Sequence, residues 1–291
     1  MGSLKAFPCY QIYVEGANGD VADIKLPFTS EIQITRQIQN GPPEANLTVY
    51  NLNMNTRENL YFDRFNFGGY RKIEIYMGYG GQMSLCFKGN VMECYSVRKG
   101  VNFETHINAW DGGMYYTSGW NSRSYNNKDP KKQIEALQKE VAKSKVSVGK
   151  ISDMVGLDAN EILRPTAYYD KTITNIENIA GDNYDVFVEN EKLFVMRKDE
   201  AREGAVTIIN AGTGLIETPR KMEFTLEVTM MLEPRLQIGQ LAQLESVTAP
   251  RFNGTYKIIG VDHNATISEN ESGQNTTKVT LFYNEGGFYD F

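Results

Sequence analysis

A two-residue alternation of apolar and polar side chains is the feature that most limits how this chain can fold. From 222 to 232, Met, Phe, Leu, Val, Met and Leu occupy every second position, with Glu and Thr between them as far as Thr229. Successive side chains of a strand point to opposite faces, so this stretch predicts a long strand with one buried face. It leads into residues 230–246, which bend at Pro234 and Gly239 and carry no side chain suited to chemistry.

The first third of the chain predicts further hairpins. Ile32, Ile34 and Ile38 alternate with polar residues, the stretch "NGPP" at 40–43 supplies a turn, and "ANLTVYNL" resumes an extended pattern. Residues 55–62 predict a short helix or turn. Two apolar runs joined by "GYGG" follow, and "VNFETHINAW" adds a strand with Val, Phe, Ile and Ala on one face.

The middle of the chain changes character. Asp129 as an N-cap, Pro130 at the first helical position and apolar residues at 134, 137 and 141 predict a helix. A second helix is predicted at 172–181, ended by Gly181, and "DVFVENEKLFVMRK" predicts a hairpin that turns at Asn190 and Glu191. These elements predict a small α/β module.

The last third returns to strands. "TYKIIGVDHNATI" and "TKVTLFY" are expected to pair across a polar loop. Because both outer thirds consist of similar long hairpins, we expect a mainly β fold with two tube-like β-barrel regions and the α/β module between them. The predicted boundaries are 1–122, 123–205 and 206–291.

Charge and cysteine content exclude several classes of protein. The net charge of −6 and the isoelectric point near 5.2 argue against a main function in binding nucleic acid or an anionic membrane, because such binding requires Lys and Arg. Three cysteines are too few for a disulfide framework, so we expect free thiols in a reducing cytoplasm. Neither an export signal nor an apolar run of membrane-spanning length is visible, so we expect no membrane anchor.

Candidate reactive residues do not form a convincing site in the sequence. Cys86 and Cys94 lack zinc-site spacing, and a bulge at Gly89 would keep them apart on one strand as small buried hydrophobes. His106 is predicted at the surface and His263 in the core, hydrogen-bonded.

Three local motifs also favour structure over chemistry. The loop that begins at Asp182 has Phe and Leu where a calcium loop needs Gly and Glu, so a strand is favoured. "GYGG" joins two strands and predicts a turn instead of a phosphate cradle. The lysines of 128–145 are mixed with Glu around an apolar stripe, which favours a solvated helix face. We expect no catalytic, cofactor-binding or metal-binding residue.

Two pairs of segments carry a resemblance to a known family. "GLIETPRKMEFTLEVTMMLEPRLQIGQLAQLES" with "NGTYKIIGVDHNATI" resembles the C-terminal part of bacteriophage baseplate hub proteins. "EANLTVYNLNMNTRENL" and "IEIYMGYGGQMSLCFKGNV" resemble the N-terminal part of the same family, in the same order. The resemblance covers the outer thirds, and the middle corresponds only by position.

The resemblance implies a structural role in the virion tail baseplate. Such hubs are homotrimers in which two tube-like barrels per subunit form a pseudo-sixfold ring between the hexameric tail tube and the trimeric central spike. The implied partners are further copies of the chain, the tube protein, the spike protein and other baseplate proteins, with DNA only as passing cargo. Assembly in the bacterial host cytoplasm is implied, and an acidic channel would suit DNA that must slide without binding.

Other classes of function stay open at this point. Trp110 and Trp120 flank "DGGMYYTSG" and could stack on sugars in a host-surface or carbohydrate-binding module, although strand ends and subunit contacts explain them equally. A peptidoglycan hydrolase would need an acid pair or a Cys/His set that the sequence does not present. The hub of a tailocin or of a secretion spike is a related structural alternative.

Overall fold

Antiparallel strands dominate the computed structural model, which describes residues 5–38, 41–63, 65, 69–125, 129–140, 146–153, 166–269, 272–283 and 289–290. The first third contains β1 (Pro8–Glu15), β2 (Val21–Lys25), β3 (Ser30–Gln37), β4 (Glu44–Tyr50), α1 (Met54–Leu60), β5 (Arg71–Tyr79), β6 (Gln82–Lys99) and β7 (Asn102–Trp110). The middle contains α2 (Gly113–Ser118), β8 (Trp120–Tyr125), α3 (Pro130–Glu140), β9 (Ser147–Ile151), β10 (Thr166–Lys171), α4 (Thr172–Ala180), β11 (Tyr184–Val188), β12 (Lys192–Arg197) and β13 (Glu200–Ala201). The last third contains β14 (Thr207–Asn210), β15 (Arg220–Lys221), β16 (Thr225–Met231), β17 (Leu241–Glu245), β18 (Gly254–Ile267), β19 (Ser272–Phe282) and β20 (Tyr289–Asp290), with short 3₁₀ turns at Ala211–Thr213 and Pro250–Phe252. The predicted mainly β fold is confirmed.

One sheet joins the outer thirds of the chain. It has 13 strands in the order β15-β16-β19-β18-β3-β4-β7-β6-β5-β1-β2, with β17 also on β18 and β14 on β17. The expectation of two tube-like β-barrel regions is corrected in one respect: in the described residues the strands form one large sheet, and no strand pairing closes it into a barrel. The outer thirds join through the long strand β18. Its first residues pair with β17, and its second half pairs with β3, from Gly260 opposite Gln37 to Ile267 opposite Ser30.

Two hydrophobic cores lie against this sheet. The first is formed by inward side chains of β1 to β7, and it also includes Leu232, Ala265 and Ile267 from the last third of the chain. The second is formed by strands of the last third, with Val228, Met230, Ile258 and others buried together. The first core is therefore completed by residues that are distant in sequence.

Strand β6 carries both buried cysteines on one continuous strand, as predicted, but its bulges differ from the expected one. The register shifts at Cys86 against β5 and at Met92 against β7, not at Gly89. Gly89 has another role, because a Cβ there would lie 2.3 Å from the carbonyl oxygen of Trp110. The glycine permits a close backbone approach.

The long strand predicted from Met222 is shorter than expected. Met222 and Phe224 are exposed, because the amide of Met222 donates to the carbonyl of Thr225 at 2.8 Å and closes a turn there. Only from Thr225 onward does the alternation place Leu226, Val228 and Met230 in the core. Val101 is likewise exposed, since it lies in the tight turn between β6 and β7.

The middle of the chain forms a module with its own core, made from α3, α4, β11 and β12 and including Tyr115 and Ile134. The carboxylate of Asp129 accepts the amide of Lys131 at 3.1 Å at the start of α3, and Gly181 ends α4. The predicted turn of the β11–β12 hairpin is confirmed at Asn190 and Glu191, which both have positive φ. The predicted apolar residue 141 lies outside the described residues.

Candidate functional site

The solvent-facing side of the joined sheet forms a concave polar surface, here called the polar wall. The side chains of this surface come from β3, β4, β6, β7, β18 and β19, and they line a depression of about 550 Å³. Its polar lining consists of Glu31, Gln33, Asn46, Thr48, Glu93, Tyr95, His106, Asn108, Asn264, Thr266 and Gln274. The alternation that buries the neighbouring Ile32 and Ile34 directs Glu31 and Gln33 outward. The wall therefore spans the first and last thirds of the chain.

The polar wall has an acidic and amide-rich character. Among the described residues that line the depression, two are glutamates and none is lysine or arginine. At its margin Lys99 forms an ion pair with Glu104 at 2.7 Å, so this cation is locally neutralised. A surface of this kind offers hydrogen bonds to water and repels polyanions.

His106 lies on the polar wall, as its strand position predicts. Its Nδ1 is 3.2 Å from the hydroxyl of Thr48, and its Nε2 is 3.3 Å from a carboxylate oxygen of Glu104. The ring of Tyr95 stacks at a tilt 5.1 Å away. These contacts hold the imidazole in the sheet surface.

His263 is a buried, hydrogen-bonded residue, as predicted. Arg36 Nη2 donates to its Nε2 at 2.7 Å, so Nδ1 carries the proton and donates to the Thr277 hydroxyl at 2.8 Å. Burial, together with the positive Arg36, lowers the pKa of His263 well below its ordinary value of 6.5. The Thr277 hydroxyl oxygen also accepts a hydrogen bond from the amide of Glu233 at 2.9 Å. The side chains of His263 and Thr277 are both fully buried. The arrangement stabilises the sheet interior and gives a substrate no access.

The two buried cysteines are poor nucleophiles. Cys86 and Cys94 are free thiols inside the first core, and burial raises the pKa of each to about 12. Since the thiolate is the reactive form, both thiols are inert at neutral pH. The third cysteine, Cys9, is partly exposed and also free.

The remaining candidates are structural elements. The stretch from Asp182 is the β11–β12 hairpin, and within the part of the chain that the structure describes no three His, Cys, Asp or Glu side chains gather as a metal site. Among the described residues no helix has the length and apolar character needed to cross a membrane.

Trp110 and Trp120 have different surroundings. Trp110 is half-buried at the end of β7, where its carbonyl approaches Gly89. Trp120 is 59% exposed and meets the exposed ring of Tyr169 edge-on at 6.2 Å. Of the two tryptophans, Trp120 is therefore the one that exposes most of its ring.

Sequence reasoning missed two buried cations that organise the interior. Arg36 and Lys257 are almost fully buried, and they form ion pairs with Glu189 at 3.1 Å and Asp185 at 2.9 Å. A signal was present for Arg36, because it follows Ile32 and Ile34 at the same two-residue spacing and therefore points inward. A charged residue at an inward position indicates a buried partner.

Two comparisons with known proteins found similar proteins, one by sequence and one by structure. The sequence model of the family described as Baseplate hub gp41 matches residues 16–271. The structure is similar to the 43 kDa tail protein of prophage MuSo2 from Shewanella oneidensis, with a TM-score of 0.61 and 9% identity over 94% of this chain and 98% of that chain. No curated protein sequence matches the chain.

Two further solved structures share the fold. A tail protein from Neisseria meningitidis MC58 has a TM-score of 0.61 and 11% identity over 96% of this chain and 98% of that one. The E. coli c3393 protein, a component of the type VI secretion system, has a TM-score of 0.60 and 10% identity over 90% of this chain and 76% of its own. At such low identity these structures show a common fold.

Proposed function

Because this chain belongs to the Baseplate hub gp41 family, we propose that three copies form a hub ring that joins a tail tube to a central spike. The chain is a structural tail component, and the ring is the arrangement that would let it serve as an adaptor. In this proposal residues 1–122 and 206–291 are two tube-like regions, and residues 123–205 are the inserted module. Two regions per copy would give the ring a near-sixfold outline toward the tube.

The observation that carries the proposal is the continuous sheet across both outer thirds of the chain. The pairing of β18 with β3 places strands of the first and last regions side by side, so one copy presents one segment of wall from each region. Repetition around a threefold axis would give six such segments. This arrangement resolves a mismatch between threefold and sixfold partners without a second protein.

We propose that the polar wall faces the channel of this ring. Its lining carries Glu31 and Glu93 and lacks lysine and arginine among the described residues, which would keep DNA phosphates from binding during passage. The partners in this proposal are further copies of the chain, the tube and spike proteins and other baseplate proteins. The location is the virion tail baseplate after assembly in the host cytoplasm, and the role requires neither enzymatic activity nor a cofactor.

Electron microscopy of the purified chain at high concentration tests the ring. Rings of three subunits with a central hole and a near-sixfold outline are expected, alone or with the tube and spike proteins. Only compact monomers under all of these conditions would contradict the proposal.

Charge reversal on the polar wall tests its position separately. Virions carrying Glu31→Lys together with Glu93→Lys are expected to eject DNA more slowly, because the new cations bind phosphate. The matched control is Glu203→Lys, an exposed acid in the loop before β14. Equal ejection rates in the wall variant and the control would contradict the proposal that the polar wall faces the channel.

A second candidate function follows from the exposed aromatic pair of β8 and β10. Trp120 and Tyr169 together present ring surface that suits sugar stacking at a tail tip. Binding of the isolated protein to host envelope extracts, lost in Trp120→Ala, would favour this candidate. Unchanged binding in that variant would exclude the pair as the receptor site.

A further inference from the structure

The β11–β12 hairpin of the middle module meets the large sheet mainly through charged side chains. The contact, here called the charged junction, contains four carboxyl groups and four cations. The carboxyl groups are those of Asp185, Glu189, Glu191 and Asp111, and the cations are Arg36, Lys88, Arg202 and Lys257. The first three acids belong to the hairpin, whereas Asp111 and three of the cations belong to the sheet or its ends.

Glu189 is the centre of the junction. One carboxylate oxygen accepts Arg36 Nη1 at 3.1 Å and the amide of Ile238 at 3.1 Å, and the other accepts Arg202 Nη1. Arg36 also donates to the carbonyl of Leu236 at 3.1 Å. One buried side chain of the module therefore ties β3 and the loop that precedes β17 together.

Two further ion pairs lie to either side of Glu189. Lys257 of β18 contacts Asp185 at 2.9 Å, and Lys88 of β6 contacts Glu191 at 3.3 Å. The Lys257 ammonium is fully buried and also donates to the carbonyls of Arg197 and Lys198. Arg36, Lys88 and Lys257 come from three different strands of the sheet. Their ion pairs therefore form together only when the hairpin is docked against the sheet in this position.

Asp111, directly after β7, holds the turn of the hairpin. Its carboxyl oxygens accept the amides of Asn190 and Glu191. Both turn residues adopt left-handed backbone angles, with φ of 52° and 58°, which disfavours a residue such as Glu. The turn thus stores strain that the contact with Asp111 offsets.

The apolar part of the junction is small in comparison with the cores on either side. It comprises Phe187, Phe194, Met196 and Ile238, with Ile38 against them. The module core and the two sheet cores are formed separately from it. Opening the junction would return charged groups to water and leave each core intact, whereas opening a core exposes apolar surface without such compensation.

We propose that the charged junction is a catch: it opens as a unit while all three cores stay folded, and so permits the middle module to change its orientation on the sheet. The inference goes beyond the hub function, because it concerns motion within one copy of the chain. Local opening of this kind makes the junction amides exchange with solvent at lower cost than the core amides.

Hydrogen exchange of the full-length protein, followed by mass spectrometry, tests the catch. Peptides that cover 188–192 and 236–240 report the junction, and peptides that cover 71–79 and 172–180 report a sheet core and the module core. In Glu189→Gln we expect exchange about tenfold faster or more in the junction peptides, from the loss of charge-assisted hydrogen bonds, with little change in the core peptides. The matched control is Glu227→Gln, which removes the exposed 2.8 Å ion pair with Lys278.

The outcomes separate a catch from a rigid joint. Faster exchange confined to the junction peptides supports the proposal. An equal rise in all peptides, or no rise at the junction beyond that of the control, overturns it. Asp111→Asn, which keeps the shape of the side chain, is read by the same criteria if Glu189→Gln does not fold.

Discussion

The buried ion pair between Lys257 and Asp185 gives a prediction with a magnitude that follows from burial. Lys257→Met removes the ammonium but leaves a carboxylate that is 7% exposed without its cation. Removing one partner of a buried pair typically costs about 3–5 kcal/mol. With a shift of about 2–4 °C per kcal/mol, the melting temperature should fall by roughly 6–20 °C.

The surface pair of Lys278 and Glu227 supplies the comparison. Its side chains are 44% and 24% exposed at a distance of 2.8 Å, so Lys278→Met should cost about 0–1 kcal/mol. The double variant Lys257→Met with Asp185→Leu should recover most of the loss, because no buried charge is left unpaired. Urea unfolding, followed by circular dichroism, measures five proteins: the wild type, the single variants Lys257→Met, Asp185→Leu and Lys278→Met, and the double variant. An unchanged dependence of the unfolding free energy on urea concentration indicates that all of them unfold by the same mechanism.

Two results would refute this reasoning. The first is a Lys257→Met variant as stable as the Lys278→Met variant, which would mean that water solvates Asp185 in the native state. The second is a double variant whose loss equals the sum of the two single losses, which would mean that the two groups do not interact.

Three more predictions follow from individual contacts. Gly89→Ala should lower the free energy of unfolding by about 2 kcal/mol or more, because the new Cβ would lie 2.3 Å from the carbonyl oxygen of Trp110. Gly69→Ala, where the new Cβ meets open space, should cost less than about 1 kcal/mol, and thermal melts of both variants check this. Because the pKa of His263 is lowered in the native state, below pH 6.5 the unfolded chain binds a proton at this residue that the native state does not bind. Stability should therefore decline as the pH falls below 6.5. In urea titrations at several pH values, His263→Gln should lose this dependence of stability on pH. In the native protein iodoacetamide should label Cys9 first, because burial raises the pKa of the other two thiols to about 12; intact-mass spectrometry should show those two labelled only in denaturant, and early labelling of all three would contradict the burial argument.

The sequence pattern predicts side-chain direction well and strand partners poorly. Alternation correctly places Ile32 and Ile34 inside, and the helix signals at Asp129 and Gly181 mark real helix ends. These are local properties, decided by bond geometry and by neighbours a few residues away. The pairing of β18 with β3 is not local, since many strands share the same alternation and any of them could pair.

The same distinction applies to the candidate site. Residues of the polar wall occupy the outward positions that the pattern predicts, but their assembly into one surface depends on the order of strands in the sheet. The inward position of Arg36 indicates a buried partner, but the sequence does not show that this partner is Glu189, because their contact depends on how the module docks against the sheet. The exposed Phe224 shows the limit of the pattern, because a turn replaces the strand that its alternation predicts.

The contribution of Leu232, Ala265 and Ile267 to the first core has a consequence for synthesis on the ribosome. The N-terminal strands emerge first, but their core lacks these residues until the chain has been translated past Ile267. At about 5–20 residues per second, roughly 10–30 s separate the emergence of Ala109 from that of Ile267. During that interval the nascent chain presents the edge of β3 without its partner β18. Folding of the first region is therefore completed only after β18 has emerged and paired with β3.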